Sequence, residues 1–193
     1  MDKILGGSVL KTKVIVISGV TASGKTTLIN ALSDTVENAY VLSFDDYSID
    51  ALPSAPSHAF LLKNFNVAVN LFDITQLMKD FFSVNAQGKF NYIFIDFPFG
   101  YLHDDLKPFI DIVIYLKTPL DVCFARQVIR DYSYSQGESI IKWAHNYLNN
   151  VRPLFIEHEK NVSASSDYLL DGTHSVDEQI QKLKKLKVIW HLN

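Results

Sequence analysis

Residues 19–26 read GVTASGKT, and they stand just after the apolar run VIVI at residues 14–17. The eight letters match the pattern G-x-x-x-x-G-K-[ST] at every fixed position, and a helix-forming segment follows them, which is the setting of a phosphate-binding P-loop (Walker A motif). Phosphate binds well at such a place, because the free N–H groups and the dipole of a helix N-terminus favour anions. The stretch therefore predicts an α/β fold that binds a nucleoside triphosphate.

Individual positions of this loop have separate chemical tasks. The two glycines allow backbone conformations that turn successive N–H groups toward the phosphates, and Lys25 reaches the β- and γ-phosphate oxygens. Thr26 offers a hydroxyl to Mg²⁺. The alternative is a glycine turn before an ordinary helix. The residues expected to hold the nucleotide are Gly19, Thr21, Ala22, Ser23, Gly24, Lys25, Thr26 and Thr27.

The composition limits the class of protein. The chain has 193 residues, of which 48% are hydrophobic and 20% charged, which predicts one globular domain over residues 1–193. A net charge of −3 and a pI near 6.0 give no electrostatic signature of nucleic-acid binding. The lone Cys123 excludes an internal disulfide, and no segment has the apolar length of a signal peptide or a membrane span. We therefore expect a cytoplasmic protein without nucleic-acid or membrane partners, and a homo-oligomer stays open.

Short β-branched and aromatic runs alternate with segments of helical periodicity along the chain. Such alternation predicts βαβ crossovers, and hence a three-layer fold with helices on both faces of a central five-stranded parallel sheet. The predicted strands are Lys13–Ser18, Ala39–Ser43, Asn91–Asp96, Asp111–Leu116 and Asp167–Leu170, and the predicted helices are Lys25–Ser33, Phe72–Phe82, Leu120–Tyr132, Ser139–Lys160 and Val176–Lys185. The proline-rich stretch Ser48–Pro56 predicts a loop near the ligand.

Carboxylates follow two of the predicted strands at the edge where the P-loop opens. Asp45 and Asp46 come after the second strand, and a carboxylate there is placed to orient an attacking hydroxyl and take its proton. Asp96 ends the third strand at a Walker B position, where an acid supports Mg²⁺. Each acid also has a structural interpretation as the cap of the next turn. We predict Asp45 as a base, Asp46 as a substrate contact, and Thr26 with Asp96 as the metal site.

Two arginines are candidates for a phosphate clamp. Arg126 and Arg130 are four residues apart on the predicted helix after Pro119, so their side chains project from one face. The planar guanidinium suits phosphoryl oxygens, and we expect the pair to belong to a mobile lid at residues 126–138. The alternative is an arginine pair on a solvated helix face.

Aromatic residues that follow strand ends are candidates for an acceptor pocket. Tyr47, Phe97 and Tyr101 are predicted to contact the substrate, although a chain with 13 Phe and nine Tyr places most of its rings in the core. His103 stands beside two aspartates, and we expect an exposed loop residue there, because no second His or Cys stands at metal-ligand spacing.

The order of these parts resembles the uridine kinase-like branch of the P-loop kinases. The resemblance covers most of the chain and rests on the P-loop, on VLSFD at residues 41–45, on the acid-ended third strand, on RQVIRD at residues 126–131 and on VRPLF at residues 151–155. It implies a P-loop kinase fold with ATP and Mg²⁺, with Lys25 at the phosphates and Asp45 as the base that activates the acceptor hydroxyl. It also implies Arg126 and Arg130 as catalytic lid residues.

Departures from that family concern the lid and the acceptor. Gln127 replaces a lid arginine, residues 133–138 lack the later ones, and residues 65–69 lack the family's sugar-binding acids. Only residues 83–89 separate helix from strand where the family inserts a β-hairpin. The sequence thus predicts a small-molecule kinase whose hydroxyl acceptor, nucleoside-like or not, stays open. The alternative is a nucleotide-binding regulatory or switch module that has no acceptor chemistry.

Overall fold

A computed structural model describes residues 11–134 and 137–189 of the chain. The described part is an α/β structure built on a five-stranded parallel sheet with the strand order β2-β3-β1-β4-β5. The strands are β1 (Lys13–Ser18), β2 (Ala39–Ser43), β3 (Tyr92–Asp96), β4 (Ile112–Lys117) and β5 (Tyr168–Asp171). The helices are α1 (Lys25–Thr35), α2 (His58–Lys63), α3 (Phe65–Ala68), α4 (Thr75–Asn85), α5 (Leu120–Tyr132), α6 (Gly137–Asn146), α7 (Arg152–Ser165) and α8 (Val176–Lys185).

The central strand β1 leads into the P-loop, and its apolar run is covered on both faces. Val14 and Val16 belong to one hydrophobic core, and Ile15 and Ile17 belong to the other. The second core also takes the buried face of α1, including Leu28. Alternation of side chains along a strand sends neighbours to opposite faces, so a run without polar interruption is what a doubly covered strand requires.

Parallel pairing places the carboxyl ends of all five strands at one edge of the sheet. Ligands of open α/β sheets bind in the crevice outside that edge. The register pairs Ile17 of β1 with Asp96 of β3, and Ser43 of β2 with the same Asp96. The P-loop and the acids after β2 and β3 are therefore brought to one place by the sheet itself.

The structure confirms the predicted fold class, and every predicted strand lies within one residue of an observed one. The helix expected over Ser139–Lys160 is instead α6 and α7, joined by a π-helical segment Tyr147–Val151. Pro153 explains the interruption, because its missing N–H and its ring disturb the hydrogen-bond ladder of the preceding turn. The helix expected over Phe72–Phe82 begins at Thr75, and the short α2 and α3 carry no prediction. Residues 135 and 136 of the predicted lid lie outside the described residues.

Among residues 11–134 and 137–189, no helix combines the length and the apolar character that crossing a membrane requires. Cys123 lies in α5 and is buried, with 1% of its surface exposed.

Candidate nucleotide-binding and active site

The P-loop wraps the N-terminus of α1 and leaves backbone donors unused by the helix. The first helical hydrogen bond runs from the Leu28 N–H to the Gly24 carbonyl at 3.0 Å, so the N–H groups of the turn before it do not enter the ladder. Gly19 has φ +152°, and a Cβ there would come within 2.7 Å of Ser23 Oγ and 2.9 Å of the Leu116 carbonyl. A side chain at position 19 would therefore open the loop, which explains the glycine physically.

Lys25, Thr26 and Asp96 meet at the mouth of the loop. The Thr26 hydroxyl donates to Asp96 Oδ2 at 2.8 Å, and Lys25 Nζ lies 3.8 Å from Asp96 Oδ1. Burial raises the pKa of the Asp96 carboxyl, against the opposing effects of the Lys25 charge and the Thr26 hydrogen bond. The charges of Asp45 and Asp46 raise this pKa further, and a cation placed here would offset the negative charge of these carboxylates.

The donor set at this point fits Mg²⁺. A hydroxyl and a carboxylate are hard oxygen ligands, which Mg²⁺ prefers, and Mg²⁺ commonly keeps waters and phosphate oxygens as its remaining ligands. Within the described residues, no group of three or more His, Cys, Asp or Glu side chains forms a closed metal cage. The predicted pair of Thr26 and Asp96 therefore lies together, and its metal role stays a prediction.

A cleft of about 720 Å³ extends from the P-loop along the edge of the sheet. Asp45 lines this cleft from the turn Phe44–Tyr47 that follows β2. Asp46 is exposed and is not part of the lining. The Tyr47 hydroxyl donates to Asp80 Oδ2 at 2.9 Å, and burial, followed by this hydrogen bond, raises the Tyr47 pKa. Among Asp45, Asp46 and Tyr47, only Asp45 lines the cleft, and the substrate contacts proposed for Asp46 and Tyr47 stay predictions.

Arg126 and Arg130 both line the cleft, but their present partners differ. Arg126 donates to the Ser23 carbonyl at 3.2 Å and to the Gly172 carbonyl at 3.1 Å, so it ties the P-loop to the loop after β5. Arg130 donates to both oxygens of the adjacent Asp131, at 2.6 and 3.0 Å, and this hydrogen bonding is the main cause of its raised pKa. Both guanidinium groups are placed where they could meet a phosphate.

The structure corrects three expectations about the residues after β3. Phe97 is fully buried and packs edge-on against Phe44 and Phe99, so it is a core residue and not a substrate contact. The Tyr101 hydroxyl donates to Asp167 Oδ2 at 2.7 Å, beside the amino end of β5, and so points away from the cleft. His103 is 1% exposed, not a surface residue, and its Nε2 is bonded to the Phe72 carbonyl at 3.0 Å. The chain after Asp96 turns back across the sheet, which periodicity along one strand does not show.

Several cleft residues were missed by the sequence analysis. His158 is the most buried of them among the titratable groups, and it is bonded through Nε2 to the Pro98 carbonyl at 2.7 Å. Burial lowers the pKa of His158 to about 4, so the imidazole is neutral at physiological pH. Its position near the end of the predicted helix Ser139–Lys160 gave no signal. The other lining residues that were not predicted are Val20, Phe44, Asp50, Pro98, Phe155, Gly172, His174, Val176 and Gln179.

Comparisons with known proteins agree with this geometry. The chain is 24% identical over 183 residues to a uridine kinase of Borrelia duttonii, which covers 84% of this chain and 88% of that protein. It is 25% identical over 160 residues to a uridine kinase of Borrelia garinii subsp. bavariensis, which covers 72% of this chain and 77% of that protein. No model of a protein family matches the chain.

Among solved structures, the protein TT1252 from Thermus thermophilus has a similar fold. The two share 16% sequence identity and a TM-score of 0.58, over 93% of this chain and 99% of that one. At this identity the likeness speaks for the fold alone. Together with the parallel sheet and the P-loop cleft, these likenesses indicate a P-loop kinase-like, nucleotide-binding fold.

Proposed function

We propose that this chain is a kinase that transfers the γ-phosphate of ATP, bound with Mg²⁺, to a hydroxyl group of a small metabolite. One observation carries the proposal. A single cleft of about 720 Å³ joins the P-loop to Asp45, Asp96, Arg126 and Arg130. Phosphoryl transfer needs phosphate donors, a metal site, a base for the hydroxyl and positive charge for the migrating group, and each of these has a candidate in the cleft.

The phosphate end of the site is the better supported. The unused N–H groups at the N-terminus of α1 and the Lys25 ammonium would hold the β- and γ-phosphates. Thr26 and Asp96 would hold Mg²⁺, which, when bound, neutralises charge on the phosphate oxygens. Lys25 now lies 3.8 Å from Asp96, and bound phosphate would give its ammonium a second anionic partner.

Asp45 is the base in this proposal. Asp45 lines the same cleft as Asp96 and Arg130, and its charge contributes to the raised pKa of each. An acceptor hydroxyl bonded to Asp45 would therefore face the γ-phosphate. Closure of the segment around Arg130 would exclude water and limit hydrolysis of ATP.

The acceptor itself is left at the level of a nucleoside-like or other small metabolite, in the manner of a uridine kinase. The cleft that holds Asp45 is also lined by Asp50, Phe155 and His158. Asp50 offers a carboxylate that accepts hydrogen bonds, and the two rings offer aromatic surface, which suits a polyol or a ribose carrying a flat group.

A nucleotide-binding module without transfer is the second candidate. It is favoured by the arginines, since Arg126 is engaged with two backbone carbonyls and Arg130 with Asp131. A binder of this kind would need the P-loop but not Asp45.

The deciding experiment is acceptor-dependent release of ADP, measured with a panel of nucleosides, nicotinamide riboside, pantothenate and sugars. We expect one acceptor class to raise turnover above the basal ATPase rate. Asp45→Asn should then lower turnover at least about a hundredfold while the ATP-induced thermal shift is kept. Asp46→Asn is the matched control, because Asp46 lies next to it outside the cleft lining, and it should retain turnover. Turnover unaffected by Asp45→Asn would refute the role of Asp45 as the base, whereas absence of turnover with every acceptor favours the binding module.

A further inference from the structure

The cleft has two arms that meet at the P-loop of the central strand. One arm lies beyond β2 and β3 and is lined by Asp45, Asp50 and Asp96. The other lies beyond β5 and is lined by Gly172, His174, Val176 and Gln179, which we call the β5 arm. Among the described lining residues, the carboxylates all belong to the first arm. An uncharged part of the nucleotide therefore fits the β5 arm, with the phosphates at the P-loop and the acceptor among the acids.

Gln179 is the buried polar side chain of the β5 arm, with 5% of its surface exposed. Its Nε2 donates to the Asp171 carbonyl at 3.1 Å and to the His174 carbonyl at 3.1 Å. The opposite amide orientation would set the side-chain oxygen against two carbonyl oxygens, so these two bonds determine which atom is nitrogen. Both amide hydrogens are used, and the oxygen Oε1 is the group left for a ligand.

The amide is also held rigidly. Gln179 lies in the first turns of α8, just after a capping box in which Ser175 and Glu178 bond each other's backbone. Its own N–H donates to the Ser175 carbonyl at 3.1 Å. Within residues 11–134 and 137–189, no donor is bonded to Gln179 Oε1. A fixed acceptor in a nucleotide cleft binds a ligand group that carries an N–H. It disfavours a ligand carbonyl oxygen at the same place, because two acceptors would then face each other without a proton between them.

We propose that Gln179 selects the base of the bound nucleotide through Oε1, which accepts a hydrogen bond from an exocyclic amine. The preferred ligands are then nucleotides whose base carries an amine where its counterpart carries an oxygen: adenine, with a 6-amino group, over guanine or hypoxanthine, and cytosine, with a 4-amino group, over uracil. The inference rests on the proposed nucleotide site and adds the residue that sets its base preference. Gln179 is a specificity-determining residue and takes no part in the transfer step.

The test is calorimetric binding of diphosphates to the full chain in the presence of Mg²⁺, without any acceptor. Wild type is expected to bind ADP roughly tenfold more tightly than IDP, which carries an oxygen in place of the 6-amino group, and CDP more tightly than UDP. Gln179→Met removes the acceptor at similar size and should bring each ratio to within about twofold. Gln181→Met is the matched control, because Gln181 is exposed on the same helix and should leave the ratios unchanged.

Two further comparisons distinguish failure of this inference from failure of the proposed function. If Gln179 only holds the loop after β5, Gln179→Met weakens all diphosphates alike and keeps the ratios, which overturns the inference. Purine riboside diphosphate lacks the 6-amino group altogether, so with wild type it tests the hydrogen bond even if the variant does not fold. Affinity equal to that of ADP overturns the inference, and a loss of roughly fivefold or more supports it. Absence of binding by every diphosphate overturns the proposed function as well, whereas binding without transfer overturns only the kinase.

Discussion

Removal of the buried imidazole of His158 should flatten the dependence of stability on pH. His158 is 8% exposed, and it lies between the Pro98 carbonyl, 2.7 Å from Nε2, and the Tyr115 hydroxyl, 3.3 Å from Nδ1. The Nε2 contact requires a proton on that nitrogen, which leaves Nδ1 to accept from Tyr115. Burial disfavours the charged imidazolium and lowers the pKa of His158 from 6.5 to about 4.

The sign and the size follow from these two values. The unfolded chain binds a proton at His158 as the pH falls below 6.5, while the folded protein does not until about pH 4. The contribution to stability is therefore fully present above pH 6.5 and is lost as the pH falls toward 4. At about 1.4 kcal/mol per pKa unit the full loss is about 3 kcal/mol, and about 2 kcal/mol of it is reached by pH 5.

The measurement is urea unfolding at pH 7.5 and pH 5.0, which stays above the range where most carboxylates titrate. His158→Gln keeps a side-chain N–H donor for the Pro98 carbonyl but cannot ionise. We expect the wild type to lose about 2 kcal/mol more free energy of unfolding than this variant between the two pH values. His145→Gln, at an exposed position on α6, is the control and should behave as wild type. A His158→Gln variant with the wild-type loss would refute the reasoning, because the imidazole would then titrate normally in the folded protein.

Other predictions concern the loop after β5, the metal site and the lid. A Cβ at Gly172 would overlap the hydroxyl of Thr118, so Gly172→Ala should lower the free energy of unfolding by roughly 2 kcal/mol. Adding Thr118→Ala should recover part of this loss, and additive losses in the double-mutant cycle would contradict the overlap. Asp96→Asn should raise the melting temperature of the ligand-free protein at neutral pH, because burial raises the Asp96 pKa and ionisation of a buried carboxyl opposes folding. The same variant should lose the Mg²⁺-dependent part of the ATP-induced thermal shift, and if it keeps that part, the metal site lies elsewhere. Arg126→Ala should lower the free energy of unfolding by roughly 1–2 kcal/mol, because it removes two hydrogen bonds to backbone carbonyls, whereas Arg130→Ala should change it by less than about 0.5 kcal/mol. Both variants should lower turnover more than ATP affinity, and wild-type kinetics in both would show that the arginines have no catalytic role.

The sequence by itself determined the class of fold and the phosphate end of the site. Both depend on information that is local along the chain. The β-branched apolar run before Gly19 is typical of a strand that is covered on both faces. In GVTASGKT the glycines allow the backbone of the loop, while the lysine charge and the threonine hydroxyl stand at the spacing that phosphate and Mg²⁺ require. The acid at the end of β3 was equally readable, since a strand in a parallel sheet delivers its last residue to the ligand edge.

Only the tertiary structure decided the strand order, which residues line the cleft, and where the residues outside the helices and strands are placed. Phe97 and Tyr101 follow a strand end as Asp96 does, yet the chain turns them into the core and toward Asp167. His158 and Gln179 come from helices far along the chain and reach the cleft only because α7 and α8 pack on opposite faces of one sheet. Periodicity states which face of a helix is buried but not which neighbour buries it, because that choice depends on contacts between residues distant in sequence. The environment that keeps His158 neutral arises from such contacts, since its partners Pro98 and Tyr115 lie far from it along the chain.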